Sequence, residues 1–251
     1  MQRLDMMLVE KGLSRSRTLA QKAIAENRVS VFINNQWQVI TKPGIKLDSQ
    51  TDVRLEVLEE DQFVSRGALK LRSILSVLPF PISGSTCLDV GQSTGGFTEC
   101  LLNAGAQRVV GVDVGHDQLA ESLRHHPKVI CLEGINARAL PLSIKQEWAP
   151  DGFDLAVMDV SFISQTKILP TLQPFIRRGG GLVSLVKPQF EVGREAIGKG
   201  GIVKDQTAYL RVKQNIMDAV NALGMQVLTY QESPITGGDG NREFLLVAIN
   251  R

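Results

Sequence analysis

Four charged side chains stand at or beside apolar runs, where a charge is costly unless something holds it. Asp159 follows Phe153-Asp154-Leu155-Ala156-Val157-Met158, and Lys187 follows Gly181-Leu182-Val183-Ser184-Leu185-Val186. Glu243 precedes Phe244-Leu245-Leu246-Val247-Ala248-Ile249, and Lys70 lies in a helix-like stretch after Ser65-Arg66-Gly67. A lysine can take a proton from a hydroxyl nucleophile if burial or a like charge favours its neutral form, so a second lysine nearby has a use. Two carboxylates would orient the pair. In an open α/β sheet ligands bind beyond the carboxyl ends of the strands, which is where Asp159 and Lys187 fall. The residues alone leave open a second reading, a set of unconnected ion pairs at strand ends.

A second constellation lies upstream. Cys87-Leu88-Asp89-Val90-Gly91-Gln92-Ser93-Thr94-Gly95-Gly96-Phe97-Thr98 reads as a strand, a glycine-rich turn and a helix start. A dinucleotide fingerprint would need glycine where Ser93 stands, and no Gly-Lys-Ser/Thr follows. The turn is built for close backbone approach rather than for phosphate. A carboxylate at Asp89 would repel a phosphate and suit a cationic ligand. S-adenosylmethionine, with an ammonium, a sulfonium and no phosphate, matches that requirement. Asp113 ends the next strand, where an acidic residue bonds ribose hydroxyls. The expected cofactor-binding residues are therefore Asp89, Gly91, Ser93, Gly95, Gly96, Phe97, Asp113 and Asn136. His116, His125 and His126 lack metal-ligand spacing, and no metal is expected.

The elements that must position these residues follow from periodicity. Leu4, Met7 and Leu8 give a first helix ending at Gly12; Ser14 or Ser16 caps a second through Leu19, Ala20, Ala23 and Ile24, ending near Asn27. Val29 to Ile33, the turn Asn34-Asn35, Trp37 to Val39 and Val53 to Val57 read as strands. These form a small α+β module over residues 1–60, followed by a linker at 61–64. From residue 65 a helix containing Leu69, Leu71, Ile74 and Leu75 runs to Pro79. Strands then alternate with helices: Thr86 to Val90, Arg108 to Val114, Lys128 to Leu132, Phe153 to Val160 and Gly181 to Val186. That alternation implies a parallel sheet covered on both faces. After a helix from Gln206 to Leu223, Gln226 to Tyr230 and Phe244 to Ile249 close the chain as an antiparallel pair. The fold class is α/β, a Rossmann-like seven-stranded domain with one reversed strand at its end, which suits a methyltransferase better than a dehydrogenase.

Bulk composition agrees with a globular protein. The 251 residues are 43% hydrophobic and 22% charged, without an apolar run of membrane-spanning length. The N-terminus lacks the apolar core of a signal peptide. Cys87, Cys100 and Cys131 lack ligand spacing and read as free thiols, so a reducing, cytoplasmic setting is expected. Residues 1–47 carry eight basic residues (Arg3, Lys11, Arg15, Arg17, Lys22, Arg28, Lys42, Lys46) against Asp5, Glu10 and Glu26, a balance of +5 on a chain of net charge +2. Clustered positive charge suits a polyanion, although a solvated helical face would look the same. The glycine-containing segment Gln189 to Asp205, with Arg194, Lys199 and Lys204, is a candidate substrate loop.

These motifs also resemble a known family. Arg3-Leu4-Asp5, Gly12-Leu13, Ser16-Arg17, Ala20 and Lys42-Pro43-Gly44 resemble the RNA-binding module named after small-subunit ribosomal protein four. Val64-Ser65-Arg66-Gly67, the turn from Asp89 to Thr98, Asp159-Val-Ser-Phe-Ile163 and Val186-Lys-Pro-Gln-Phe-Glu191 resemble TlyA-type proteins. These are often labelled hemolysins but are FtsJ-like ribosomal RNA 2′-O-methyltransferases. The resemblance implies a catalytic tetrad of Lys70, Asp159, Lys187 and Glu243, with S-adenosylmethionine as cofactor. It also implies ribosomal RNA or ribosomal subunits as partner, no membrane, and RNA contacts from Arg3, Arg15, Arg17, Lys22, Lys42 and Arg66. Gln92 departs from the alanine common there, and Asn27 and Asn35 replace glycines. Two other classes compete: a catalytically inactive RNA-binding assembly factor, and a pore-forming hemolysin.

Overall fold

The computed structural model describes every residue except Lys204, and the side chain of Arg194 also lies outside the described residues. The chain forms two compact units, Met1–Phe63 and Val64–Arg251.

The first unit contains β1 (Gln2–Arg3), α1 (Leu4–Glu10), α2 (Arg17–Ala25), β2 (Val29–Ile33), β3 (Gln36–Val39), β4 (Lys46–Leu47) and β5 (Val53–Leu55). Helix α1 stops because Gly12 turns left-handed at φ +69°, which returns the Gly12 and Leu13 amides to Val9 O and Leu8 O. Ser16 starts α2 by accepting from Leu19 N at 3.2 Å. Asn34 and Asn35 both have positive φ, 52° and 58°, which gives the two-residue turn that pairs Ile33 with Gln36. Leu4, Met7, Leu8, Ile24, Val29 and Val31 pack as one buried core between the helices and the antiparallel sheet β3-β2-β5. Strand β5 ends at Leu55, two residues before the expected Val57.

The second unit contains α3 (Gly67–Leu75), β6 (Thr86–Val90), α4 (Gly96–Asn103), β7 (Arg108–Val112), α5 (Glu121–Arg124), β8 (Val129–Leu132) and α6 (Leu142–Trp148). It continues through β9 (Phe153–Met158), α7 (Leu169–Leu172), β10 (Ile176–Val186), α8 (Pro188–Glu191), α9 (Gln206–Ala222), β11 (Met225–Glu232) and β12 (Phe244–Asn250). The seven strands lie in the order β11-β12-β10-β9-β6-β7-β8. Only β12 among them runs against its neighbours, antiparallel to both β10 and β11. The reversed strand was expected at the end of the sheet, and it is instead second from the edge. Phe244 to Ala248 are all buried, so the most apolar segment takes the covered position, and the half-exposed β11 becomes the rim.

Strands β7 and β9 stop two residues short of the expected Val114 and Val160. Both chains leave the ladder there to build a site: Asp113 bonds the glycine turn, and Asp159 N donates to Val90 O of β6 at 3.0 Å. Strand β10 begins at Ile176 rather than Gly181, because an irregularity between those residues lets Arg177 to Gly180 bulge before parallel pairing resumes. Among the described residues no helix is long and apolar enough to cross a membrane.

Candidate active site

The glycine turn between β6 and α4 sits where the sheet order reverses direction, beneath two adjoining cavities. Gly91 has φ +82°, and a Cβ there would lie 2.3 Å from the carbonyl oxygen of Asp159. Backbone therefore meets backbone at that point, and only glycine fits. The larger cavity, about 590 Å³, is lined by Asp113, Gln118, Ile135, Asn136, Ile163 and Ile168, among others. The smaller, about 310 Å³, is lined by Ser65, Arg66, Lys70, Phe97, Asp159 and Lys187, with Gly96 and residues of the turn. Gly91, Ser93, Asp159 and Ser161 border both. Asp113 fixes the turn: Ser93 N donates to Oδ2 and Gly115 N to Oδ1, each at 2.7 Å.

Two of the expected cofactor residues occupy different places from those inferred. Gly95 lines neither cavity; its would-be Cβ points at Leu119 and Leu123, so it serves helix packing. Asp89 is fully buried and also lines neither. Strand pleating turns its carboxylate inward, where Thr98 Oγ1 donates to Oδ2 at 2.6 Å and Oδ1 has no partner. The carboxylates on the cavity walls are Asp113 and Asp159. Burial, opposed by the Thr98 hydrogen bond and reinforced by the Asp159 charge, pushes the Asp89 carboxyl up to about 7. Folding therefore takes up a proton between about pH 4 and 7, and Asp89 costs the fold increasing stability as pH rises through that window. The Asp89→Asn variant carries no such proton. Its stability relative to wild type should rise from about pH 4 to about pH 7 and level off above. Urea titrations of the ligand-free proteins across pH check this.

Gln92, the departure from the family's alanine, is accommodated from across the sheet. Its side chain is buried, and Nε2 donates to Thr98 Oγ1 at 2.9 Å, completing a chain from amide through hydroxyl to the Asp89 carboxylate. It occupies the space above Gly111 of β7, where a Cβ would lie 2.0 Å from Gln92 Cδ. Gly111→Ala should therefore cost about 1–3 kcal/mol by overpacking. Gln92→Ala in the same chain should recover much of that loss, which a double-mutant cycle in urea would read as strong coupling.

The four opening charges resolve into two ion pairs. Lys70 Nζ donates to Glu243 Oε2 at 2.5 Å, both side chains being nearly buried. Lys187 Nζ lies 2.6 Å from Asp159 Oδ1 and donates to Ser161 Oγ at 2.9 Å. The first of these contacts with Asp159 is an ion pair rather than an aligned hydrogen bond, since Oδ1 receives no well-directed donor. Lys70, Asp159 and Lys187 share the wall of the smaller cavity, with Glu243 paired to Lys70. Each lysine thus has its own carboxylate, a more neutralised arrangement than two lysines repelling one another. Ser161 was not singled out from the sequence, and its place two residues after Asp159 was the signal available.

The cations of the small module are largely engaged within it. Asp5 is fully buried and accepts from Arg3 at 3.0 Å, Arg17 at 2.9 Å and Gln21 at 2.7 Å. The Arg3 hydrogen bond, with those of Gln21 and Arg17, holds its carboxyl well below the usual carboxylate range against the effect of burial. Arg15 donates to Gln62 O at 2.6 Å, Lys22 pairs with Glu60, and the buried Arg28 pairs with Glu26 and Asp61. Lys42 is exposed. Arg66 is exposed too, and it lines the smaller cavity of the second unit. In the segment Gln189 to Asp205, Lys204 and the Arg194 side chain lie outside the described residues. The remainder is tied down by an Ile197–Val203 bridge and by Asn241, which accepts from Val203 N at 3.0 Å.

A seven-stranded sheet with one reversed strand, a glycine turn after its first parallel strand and an acid after the second defines the S-adenosylmethionine-dependent methyltransferase class. Residues 63–250 match the FtsJ-like methyltransferase family, and the chain belongs to it, in the TlyA/hemolysin A branch. It is 40% identical over 244 residues to the 16S/23S rRNA (cytidine-2′-O)-methyltransferase TlyA of Mycobacterium tuberculosis, covering 97% of this chain and 88% of that one. It is 35% identical over 249 residues to Hemolysin A of Brachyspira hyodysenteriae, covering 97% and 98% respectively. A hemolysin-named structure from Streptococcus thermophilus superposes with a TM-score of 0.73 at 37% identity, over 99% of this chain and 88% of that one.

Proposed function

We propose that this protein methylates a ribose 2′-hydroxyl of ribosomal RNA, with S-adenosylmethionine as the donor. The observation that carries the reading is the wall shared by Lys70, Asp159 and Lys187, which adjoins the nucleoside-sized cavity at Gly91, Ser93 and Ser161. That larger cavity fits the cofactor's chemistry: Ile135, Ile163 and Ile168 offer an apolar face for a base, and Asp113 offers acceptors at a strand end. Gly91, Ser93, Asp113 and Asn136, which line it, are the residues proposed to hold it. When bound, S-adenosylmethionine supplies an electrophilic methyl group on a sulfonium.

The chain's own residues supply the rest. A ribose hydroxyl is a weak nucleophile until its proton is being removed. Lys187 is assigned that proton, taken at Nζ. Ser161 and Asp159 orient Nζ, and Asp159 also complements positive charge at the junction of the cavities. Nζ accepts in its neutral form, so the ammonium beside Asp159 first gives one proton to water. Lys70, held by Glu243, stands on the same wall. Arg66 at the cavity rim, with Arg3, Arg15, Arg17, Lys22 and Lys42 of the module, is the proposed phosphate-contacting set.

Transfer of labelled methyl groups from S-adenosylmethionine to unmodified ribosomal subunits, followed by mapping of 2′-O-methyl positions, tests the reading. At least one ribose should gain a methyl group. No transfer to either subunit, with RNA binding retained, would place the protein among inactive assembly factors instead.

A further inference from the structure

Asp159 and Lys187 each lie just past the end of a strand. Between β9 and β10 the last paired residues are Met158 and Ser184, while Val186 is still paired with Phe244 of β12 and Asp159 N donates to Val90 O. The sheet therefore holds both backbones, and the separation of the two charged side chains is left to contacts beyond it. Buried and half-buried side chains join the two loops again farther on. Glu191, the last residue of α8, accepts from Ser164 Oγ at 2.6 Å through Oε2 and from Gln165 N at 2.8 Å through Oε1. Gln165 is buried, donates through Nε2 to Leu185 O at 2.5 Å, and accepts from Ser184 Oγ at 2.7 Å. The ring centroids of Phe162, which is 91% exposed, and Phe190 lie 5.0 Å apart.

We infer that Glu191 is a positioning residue for the Asp159–Lys187 pair, its two carboxylate oxygens clamping residues 159–165 onto the turn that carries Lys187. The inference rests on the assignment of Lys187 as the proton acceptor. A carboxylate suits the task because it presents only acceptors. Gln165 N is the first amide of a 3-10 turn (Gln165–Lys167), a donor with no partner inside that turn. Ser164 Oγ caps the same turn, accepting from Thr166 N at 3.3 Å, so its proton is free to go to Glu191. Alanine at position 191 would leave Gln165 N without an acceptor and the Ser164 hydroxyl with Thr166 Oγ1, at 2.8 Å, as its remaining partner. Glutamine would keep an acceptor for Gln165 N, and its amide can donate to the Ser164 hydroxyl, which has spare lone-pair capacity. Glutamine therefore preserves the clamp and removes the charge, which separates positioning from an electrostatic role.

In the full-length protein, Glu191→Ala should lower kcat about 100-fold, the effect of misplacing a reacting group by about 1 Å. Its S-adenosylmethionine affinity, by calorimetry, should match wild type. Glu191→Gln should recover most of the lost kcat. In crystals, the Asp159 Oδ1–Lys187 Nζ separation of 2.6 Å should lengthen in Glu191→Ala and hold in Glu191→Gln. Wild-type kcat in the alanine variant, or a glutamine variant as slow as alanine, overturns the inference. So does an unchanged separation in the alanine variant, whatever the substrate proves to be. A wild-type protein that transfers no methyl group counts against the proposed function alone. Should Glu191→Ala fail to fold, Ser164→Ala removes one of the two bonds and is judged by the same separation and kcat.

Discussion

Lys187→Ala should reduce methyl transfer to ribosomal RNA by about 10²–10⁴-fold, the range that a positioned acid–base group contributes. It should leave S-adenosylmethionine binding close to wild type. The split follows from placement: Lys187 lines the smaller cavity, whereas the nucleoside-sized cavity is walled by Asp113, Asn136 and the isoleucines. Removing the ammonium takes away the group beside Asp159 Oδ1 and the donor to Ser161, but no contact of the Asp113 turn. Single-turnover transfer of labelled methyl, paired with calorimetry of cofactor binding, reads both quantities. A variant retaining near wild-type transfer would exclude Lys187 as the proton acceptor.

Glu243→Ala should be the most destabilising of the substitutions considered, by about 3–5 kcal/mol, the range for breaking one side of a buried ion pair. Lys70 and Glu243 are 8% and 3% exposed, so the remaining ammonium has little water to turn to. Replacing both partners tests fold and chemistry separately. Lys70→Met with Glu243→Leu removes both buried charges and should recover stability, since apolar replacements of buried pairs are often neutral. It should recover no methyl transfer. Chemical denaturation with matched activity assays distinguishes the cases, and recovery of activity in the double variant would remove the pair from the mechanism.

Much of this architecture was legible in the sequence because period and punctuation agreed. Gly12, Ser16 and the Asn34-Asn35 turn each perform the capping or turning task that their chemistry suggests. Strand alternation located the sheet, and the strand-end rule placed Asp159 and Lys187 on one cavity wall. Lys70 and Glu243 are 173 positions apart, and no periodicity could pair them; resemblance to a family supplied that link. Side-chain direction was less legible. Asp89 and Asp113 read alike in sequence, yet Asp89 lies within β6, where pleating buries it, and Asp113 lies just past the end of β7, on a cavity wall. The surplus of basic residues over 1–47 likewise did not reveal that Asp5, Glu60 and Asp61 would hold Arg3, Arg17, Lys22 and Arg28. Formal charge counts residues, whereas the field a partner meets depends on which are already paired.

The contact between Gln92 and Gly111 has a consequence for inheritance. The two positions are 19 apart in sequence and occupy one volume, so neither can change size alone without a collision or a void. In a lineage where position 92 is alanine, position 111 is released from being glycine. In this chain, any residue larger than glycine at 111 requires the Gln92 side chain to move or to shorten. A chimera that borrows only the glycine turn from a relative would inherit half of a lock, and the missing half lies on the next strand.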